Sequence, residues 1–254
     1  MDIEAVTESI WAHTMRRSYF PAEWKGRLTT EQAYRVQLGL LARWVVRGER
    51  LTGWKVGLTA PVIQRQFGMH EPVFGFLFES GHRDSGVLFR HGDLIEPGFE
   101  NELCLTVGVS LQGPGVTEDQ ARAAIVAVQP AFEIIEGRGD FRADTSLGIT
   151  DNEQQKAFVT GPASPLPAGW EPTQTTVEVL INGRQVDRAV GNEETGHPVR
   201  AVAWLANKLA EFGRRLDPGH RVMSGSFTRQ YPIARGDRIE TRFTPFGAVQ
   251  AAFD

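Results

Sequence analysis

The chain has 254 residues, of which 41% are hydrophobic and 23% charged, with a formal net charge of −4. That is enough chain for a sizeable core, and the mildly acidic balance gives no electrostatic footprint for nucleic acid or an anionic membrane. No apolar run reaches transmembrane length, the start Met1-Asp2-Ile3-Glu4 lacks the basic and apolar stretches of a signal peptide, and the single cysteine, Cys104, excludes an intrachain disulfide and fits a reducing cytoplasm.

Ile3, Val6, Ile10, Trp11 and Met15 follow helical spacing until Pro21 breaks the pattern. Thr29-Thr30-Glu31-Gln32 has the form of a capping box. Ala33, Val36, Leu40, Leu41, Trp44 and Val45 continue one apolar face, which Gly48 ends. Residues 1–50 therefore predict two helices. Beyond them strands dominate, including 96–107 and 130–136. A second capping box, Thr117-Glu118-Asp119-Gln120, opens a helix through Ala121, Ala124, Ile125 and Val128. Val177, Val179 and Ile181 alternate ahead of Asn182-Gly183, a strong hairpin signal. His197-Pro198 opens another helix with proline at its first position. Its apolar residues are Val202, Leu205, Leu209 and Phe212, and Gly213 follows as its C′ residue. The segments 238–243 and 248–253 form a closing strand pair around a turn at Pro245 to Gly247. Helices first, then strands with two further helices, make an α+β chain.

The chemistry concentrates in carboxylates. Glu100 and Glu102 are two apart in a strand, so they share a face, and Glu133 lies in a second apolar strand. Buried acids are costly unless paired or bound to metal. Three of them around one point would suit a divalent cation, Mg²⁺ or Mn²⁺ rather than zinc, because every ligand is oxygen. The alternative is three unrelated glutamates facing solvent from half-buried strands. Lys55, in Gly53-Trp54-Lys55-Val56-Gly57-Leu58-Thr59, could meet an anion, and burial would lower its pKa toward proton transfer. The alternative is a lysine that snorkels to the surface. Gly225-Ser226-Phe227-Thr228-Arg229 offers hydroxyls and N–H groups to a carboxylate, or is simply a turn. There is no Gly-x-Ser-x-Gly elbow, Walker A loop or Gly-x-Gly-x-x-Gly fingerprint. None of His13, His70, His82, His91, His197 and His220 makes a His-Glu-x-x-His motif.

Taken together, these segments resemble the 2-keto-4-pentenoate hydratase and 4-oxalocrotonate decarboxylase family, within the fumarylacetoacetate hydrolase superfamily. Residues 53–59 resemble its G-[YHL]-K-[VIM]-G-L-T-S. Glu100-Asn101-Glu102 resembles its E-x-E, and Pro130-Ala131-Phe132-Glu133-Ile134-Ile135-Glu136 its P-A-x-E-[IVL]-[IV]-D-[SA]-R. Asp151-Asn152 matches A-D-N, residues 201–209 match A-V-A-W-L-A-N-K-L, and Gly225-Ser226-Phe227-Thr228 matches G-S-[LF]-T. The matches run in order from about residue 30 to the C-terminus. The resemblance implies a mixed β-roll or barrel-like core at 51–254, the catalytic β-rich domain, behind the helical region at 1–50. It implies Mg²⁺ or Mn²⁺ held by Glu100, Glu102 and Glu133, with Lys55 as the catalytic residue. Leu58, Phe74, Asn152, Gln155, Ser226 and Thr228 are the implied contacts to a 2-oxo acid substrate. A cytoplasmic homo-oligomer is expected, with neither nucleic acid nor membrane as partner.

Two departures bear on the reaction. Hydratases of the family carry an aspartate in [QE]-P-D-[FY]-G, whereas here the segment is Glu71-Pro72-Val73-Phe74-Gly75. The family's A-D-N-A-S-S becomes Thr150-Asp151-Asn152-Glu153-Gln154-Gln155. Hydration of a 2-hydroxydienoate or its 2-oxo tautomer is the first reading, because hydratases dominate the family. It needs a group to replace the missing acid, and Asp151, Glu153 and Gln155 are the candidates by motif. A 2-oxo acid decarboxylase, with Val73 and Phe74 as an apolar wall and Arg138 or Arg229 holding a second carboxylate, is the alternative. Carbon–carbon hydrolysis ranks third, and a ligand-binding member without catalysis is the reading from a different class.

Overall fold

The computed structural model describes residues 1–192 and 196–254. Helix α1 (Ile3–Met15) starts where the Asp2 carboxylate accepts the N–H groups of Glu4 and Ala5. Helix α2 (Thr30–Val46) starts at the expected capping box, with both Thr29–Gln32 hydrogen bonds present. The two helices share a small core of Val6, Ile10, Val36 and Leu40 with Leu28 and Leu147. Ala33, Tyr34 and Leu41 carry α2 into the main core as well.

Strands β1 (Leu51–Gly57) and β2 (Val73–Phe78) follow, with helix α3 (Pro61–Gln66) between them. Short strands β3 (His82–Asp84) and β4 (Val87–Phe89) precede the long antiparallel pair β5 (Pro97–Val107) and β6 (Ile125–Glu136). Helix α4 (Glu118–Ala124) joins that pair and opens at its expected capping box. It stops at Ala124, short of the helix expected to run through Ile125 and Val128. Those residues belong to β6, where the ladder reaches Val107↔Ile125 and Thr106↔Ala127. Three β-branched residues, Ile125, Val126 and Val128, favour the strand. Helix α5 (Thr145–Thr150) and strand β7 (Gln155–Thr160) come next. Helices α3 and α5 were not expected, because six residues are too few to display a helical stripe.

The hairpin β8 (Thr176–Ile181) and β9 (Arg184–Val190) turns at Asn182-Gly183, both left-handed at φ 54° and 77°, as a two-residue hairpin turn demands. Helix α6 (Pro198–Ala210) is capped by His197. Strands β10 (Arg221–Ser226), β11 (Tyr231–Pro232), β12 (Arg238–Thr244) and β13 (Gly247–Phe253) complete the chain.

Among the described residues the strands form two mixed sheets. One runs β2-β1-β10-β5-β6-β7-β3, with β11 paired to β5, and the other β4-β13-β12-β8-β9. The second lays β13 against β6 and β7. Gly161 marks this close approach, since a Cβ there would lie 2.4 Å from the Ala248 carbonyl oxygen. Directly opposed residues share a sheet face. Trp54, Val56, Phe74, Phe76, Leu103, Leu105, Phe132 and Ile134 take one face of the large sheet into the main core. Lys55, Met223, Cys104, Glu100, Glu133 and Phe158 take the other, through the registers Lys55↔Met223, Met223↔Cys104, Glu100↔Glu133 and Glu133↔Phe158. The fold is thus α+β, with mixed sheets behind N-terminal helices.

Gln37 of α2 locks the edge of this sheet in place. Its buried amide donates to the carbonyls of Phe74 at 3.0 Å and Ile149 at 2.8 Å, joining β2 to α5. Gln37→Leu leaves both buried carbonyls without that donor, and stability should fall by about 1–3 kcal/mol. The denaturation midpoint in urea checks this; an unchanged midpoint would contradict it.

Candidate metal centre and active site

The site is built by register. Glu100 of β5 lies directly opposite Glu133 of β6, and Glu102 follows two residues on, on the same face. One carboxylate oxygen from each comes within 4.8 Å of the others. The donor set is all oxygen and anionic, which fits Mg²⁺ or Mn²⁺. Lys55 of β1, two strands from β5, projects from the same face. Its Nζ is 2.8 Å from Glu133 Oε1 and 3.5 Å from Glu153 Oε2.

Charge is unbalanced here. Glu102, Glu133, Glu153 and Lys55 are all buried, while Glu100 keeps a partial window to solvent. Desolvation, with Glu133 beside it, pushes the Glu100 carboxyl up to about 7 despite the opposing Lys55 charge. Burial and the neighbouring Glu133 and Glu100 raise Glu102 well above its ordinary value, although its Oε2 accepts the Gly225 N–H at 2.7 Å. Burial lifts Glu153 to about 7, again against Lys55. For Lys55 itself, burial favours the neutral amine, but Glu133, Glu153 and Glu100 outweigh it and hold the ammonium above its usual range. The expectation of a lowered lysine pKa is therefore corrected, because the carboxylates were not visible in its local sequence.

Glu153 arrives by an unusual route. Asn152, Glu153 and Gln154 are three consecutive left-handed residues, with φ of 56°, 52° and 63°. Non-glycine residues pay roughly 1–2 kcal/mol each for this conformation. Neighbours fix the turn on both sides. Asn152 accepts the Phe76 N–H at 2.7 Å and donates to the Phe76 carbonyl at 3.0 Å, and Gln154 donates to the Gly139 carbonyl at 2.6 Å. Glycines make room beneath. A Cβ on Gly57 would lie 2.4 Å from Glu153 Oε2, and one on Gly75 would lie 2.7 Å from Asn152 Oδ1 and 3.1 Å from Lys55 Cγ. Val73, fully buried, pairs with Gly57 at the same spot.

The other expected contacts fall in different places. Leu58 is half-buried and left-handed, at φ 51°, and its carbonyl accepts the Gln64 amide. Ser226 donates to the Asn101 carbonyl at 3.3 Å, and Thr228 accepts the Asn101 amide at 2.7 Å, which ties this segment onto β5 beside Glu100 and Glu102. Phe74 is corrected: it points to the opposite face, buried in the main core and stacked on Tyr34 at 4.2 Å. Its alternation with Lys55's partner Gly75 requires this. The Asn152 side chain is taken up by the Phe76 backbone. Asn152 and Gln155 line a separate cavity of about 460 Å³ with Tyr19, Phe78 and Arg138. Arg138 is held by Asp151 at 2.7 Å and Glu136 at 2.9 Å, so it is not free for a substrate carboxylate. Burial raises Asp151 to about 6 although Arg138 opposes it. Arg229 stacks over Tyr231 at 4.8 Å. Glu153, one of the three candidates to replace the missing acid, joins the site beside Lys55, whereas the Gly225 N–H, expected to meet a substrate carboxylate, donates to Glu102 instead. The signal for Glu153 was an acid where the related motif has a small residue.

The sequence profile described as fumarylacetoacetate (FAA) hydrolase C-terminal matches residues 71–253. A 2-hydroxyhexa-2,4-dienoate hydratase of Comamonas testosteroni is 34% identical over 229 residues, 89% of this chain and 87% of that one. A 4-oxalocrotonate decarboxylase of Pseudomonas sp. (strain CF600) is 33% identical over 227 residues, covering 89% and 86%. Among solved structures, the 4-oxalocrotonate decarboxylase from Pseudomonas putida G7, complexed with magnesium and adipate, superposes with a TM-score of 0.91 at 31% identity. That alignment covers 99% of this chain and 97% of the other. With a matching profile over most of its length and two relatives above 30% identity across nearly all of it, the chain belongs to the fumarylacetoacetate hydrolase family.

Proposed function

We propose that the chain is a metal-dependent lyase of aromatic catabolism that hydrates a 2-hydroxydienoic acid or its 2-oxo tautomer. The observation that carries this reading is the convergence of Glu100, Glu102 and Glu133 with Lys55 on one sheet face. Relatives named as dienoate hydratases and as decarboxylases, both lyases, support the reaction class. A Mg²⁺ or Mn²⁺ ion held by the three glutamates would supply Lewis-acid polarisation of the substrate's 2-oxo group. Lys55, kept protonated by its neighbours, would offer positive charge and a hydrogen bond to the oxygen on which negative charge develops. Leu58, Ser226 and Thr228 would border the substrate. We also assign the protein to the cytoplasm as a homo-oligomer; the buried free thiol of Cys104 fits a reducing compartment, and no helix of the described residues is long and apolar enough to cross a membrane.

Hydration is favoured over decarboxylation by local charge. A substrate with a second carboxylate would meet Glu153 beside Lys55, while Arg138 is already occupied by Glu136 and Asp151. The fully buried Val73 favours the other outcome, since an apolar wall assists loss of CO₂.

Two outcomes test the reading. With Mg²⁺, 2-hydroxypenta-2,4-dienoate offered beside 4-oxalocrotonate should be hydrated, and Lys55→Ala should lower kcat by about 100-fold or more with a far smaller loss of folding stability. Release of CO₂ from 4-oxalocrotonate with no hydration of the dienoate would replace this reading with the decarboxylase; undiminished turnover by metal-saturated Lys55→Ala would remove the lysine from the chemistry. Metal binding should also depend on pH. Because the Glu100 carboxyl is raised from 4.5 to about 7, the metal-free fold gains from its protonated form at low pH and loses that contribution as pH rises through about 7. A cation must displace the same proton. The rise in melting temperature produced by Mg²⁺ should therefore be larger at pH 8 than at pH 5.5, and an equal rise at both would contradict the assignment.

A further inference from the structure

We propose that Glu153 is the carboxyl that carries protons between water and the alkene carbons of the substrate. This rests on the lyase reading above and adds a residue to it. Three observations converge on it. First, the left-handed turn Asn152–Gln154 is pinned at both ends by amide hydrogen bonds, and its middle residue delivers a carboxylate into the metal-centre face. Strained non-glycine backbone of this kind persists where the surroundings impose it, and it gathers at active sites. Second, Glu153 Oε1 is buried and lacks any hydrogen-bond partner, while Oε2 is 3.5 Å from Lys55 Nζ. One oxygen is thus oriented by the lysine and the other is left for a ligand. Third, Gly57 leaves the space that this carboxylate fills, next to the apolar Val73.

The rival groups are committed elsewhere. Asp151 is bound to Arg138, and Gln155 lines the separate cavity with Tyr19 and Arg138. The step balances through one carboxyl. The dienol first becomes the 2-oxo-3-enoate as its hydroxyl loses a proton and the terminal carbon gains one; water's oxygen then bonds to the alkene carbon distal to the carbonyl as the Glu153 carboxylate takes water's proton. The alkene carbon next to the carbonyl then takes a proton from the same carboxyl. In this addition one O–H bond and the alkene π bond break, one C–O and one C–H bond form, and Glu153 returns to its starting state.

The test compares the full-length Mg²⁺-loaded protein with Glu153→Gln, Glu153→Ala and the double variant Val73→Asp/Glu153→Ala. On 2-hydroxypenta-2,4-dienoate, Glu153→Gln should lower kcat by about 100-fold or more with KM within about threefold. The double variant should recover at least about tenfold over Glu153→Ala, because an aspartate at 73 restores a carboxyl to the same spot. The melting temperature of metal-free Glu153→Gln should equal or exceed that of wild type, since the substitution removes one negative charge from a crowded acidic site. A kcat within threefold of wild type, or a clear fall in melting temperature that marks a structural role, overturns the proposal. If wild type does not hydrate the dienoate, the hydratase reading fails separately. Exchange of the C3 protons of 2-oxopentanoate into D₂O then decides for Glu153. Exchange lost in Glu153→Gln supports the role; exchange retained, or absent from wild type, rejects it.

Discussion

Four carboxyl groups and a single ammonium group share one patch of protein interior, and the surrounding structure is arranged around that imbalance. Glu100, Glu102 and Glu133 gather within 4.8 Å, and Glu153 joins them through Lys55. Buried like charges of this density are costly. The protein offsets them only in part, with Lys55 Nζ at 2.8 Å from Glu133 and the Gly225 N–H at 2.7 Å from Glu102. We propose that a divalent cation neutralises the remaining negative charge, which would make affinity for metal a consequence of how the strands are paired.

The scaffold holds this patch by means that cost flexibility. Strand register alone sets Glu100 against Glu133 and aligns Lys55 with Met223 and Cys104. The opposite face of the sheet is anchored in the main core by Trp54, Phe74 and Phe132. A one-residue slip would exchange the two faces and bury the acids among aromatics. Glycines at 57 and 75 keep the sheet bare where Glu153, Asn152 and the Lys55 stem must pass. The strained turn at 152–154 is stabilised by hydrogen bonds to Phe76 and Gly139, so local strain is offset by its attachments to β2 and to the segment after β6.

Much of this was legible in the sequence, because it depends on short periodicities. Both capping boxes, the Asn182-Gly183 hairpin and the proline-led helix after His197 are local signals, and they form as expected. The i, i+2 spacing of Glu100 and Glu102 also fixes their shared face. What escaped depends on contacts distant in sequence. The raised Lys55 ammonium comes from carboxylates 45 to 98 residues away and could not be read from its apolar flanks. Ile125 to Val128 continue a helical pattern, yet pairing with β5 claims them for the sheet. Phe74 lies beside a motif of the site but on the wrong side of an alternating strand. Glu153 was one of three candidates, and only the turn that carries it separates it from Asp151 and Gln155.

The central claim is that one cation sits among Glu100, Glu102 and Glu133 and gives a 2-oxo acid its attachment point. Titration with Mn²⁺, followed by the enhancement of water proton relaxation, measures this most directly. The account predicts one tight site per chain, lost in Glu133→Gln, with the enhancement reduced when pyruvate is added and displaces water from the ion. Equal Mn²⁺ affinity in wild type and Glu133→Gln, or an enhancement indifferent to pyruvate, would contradict it.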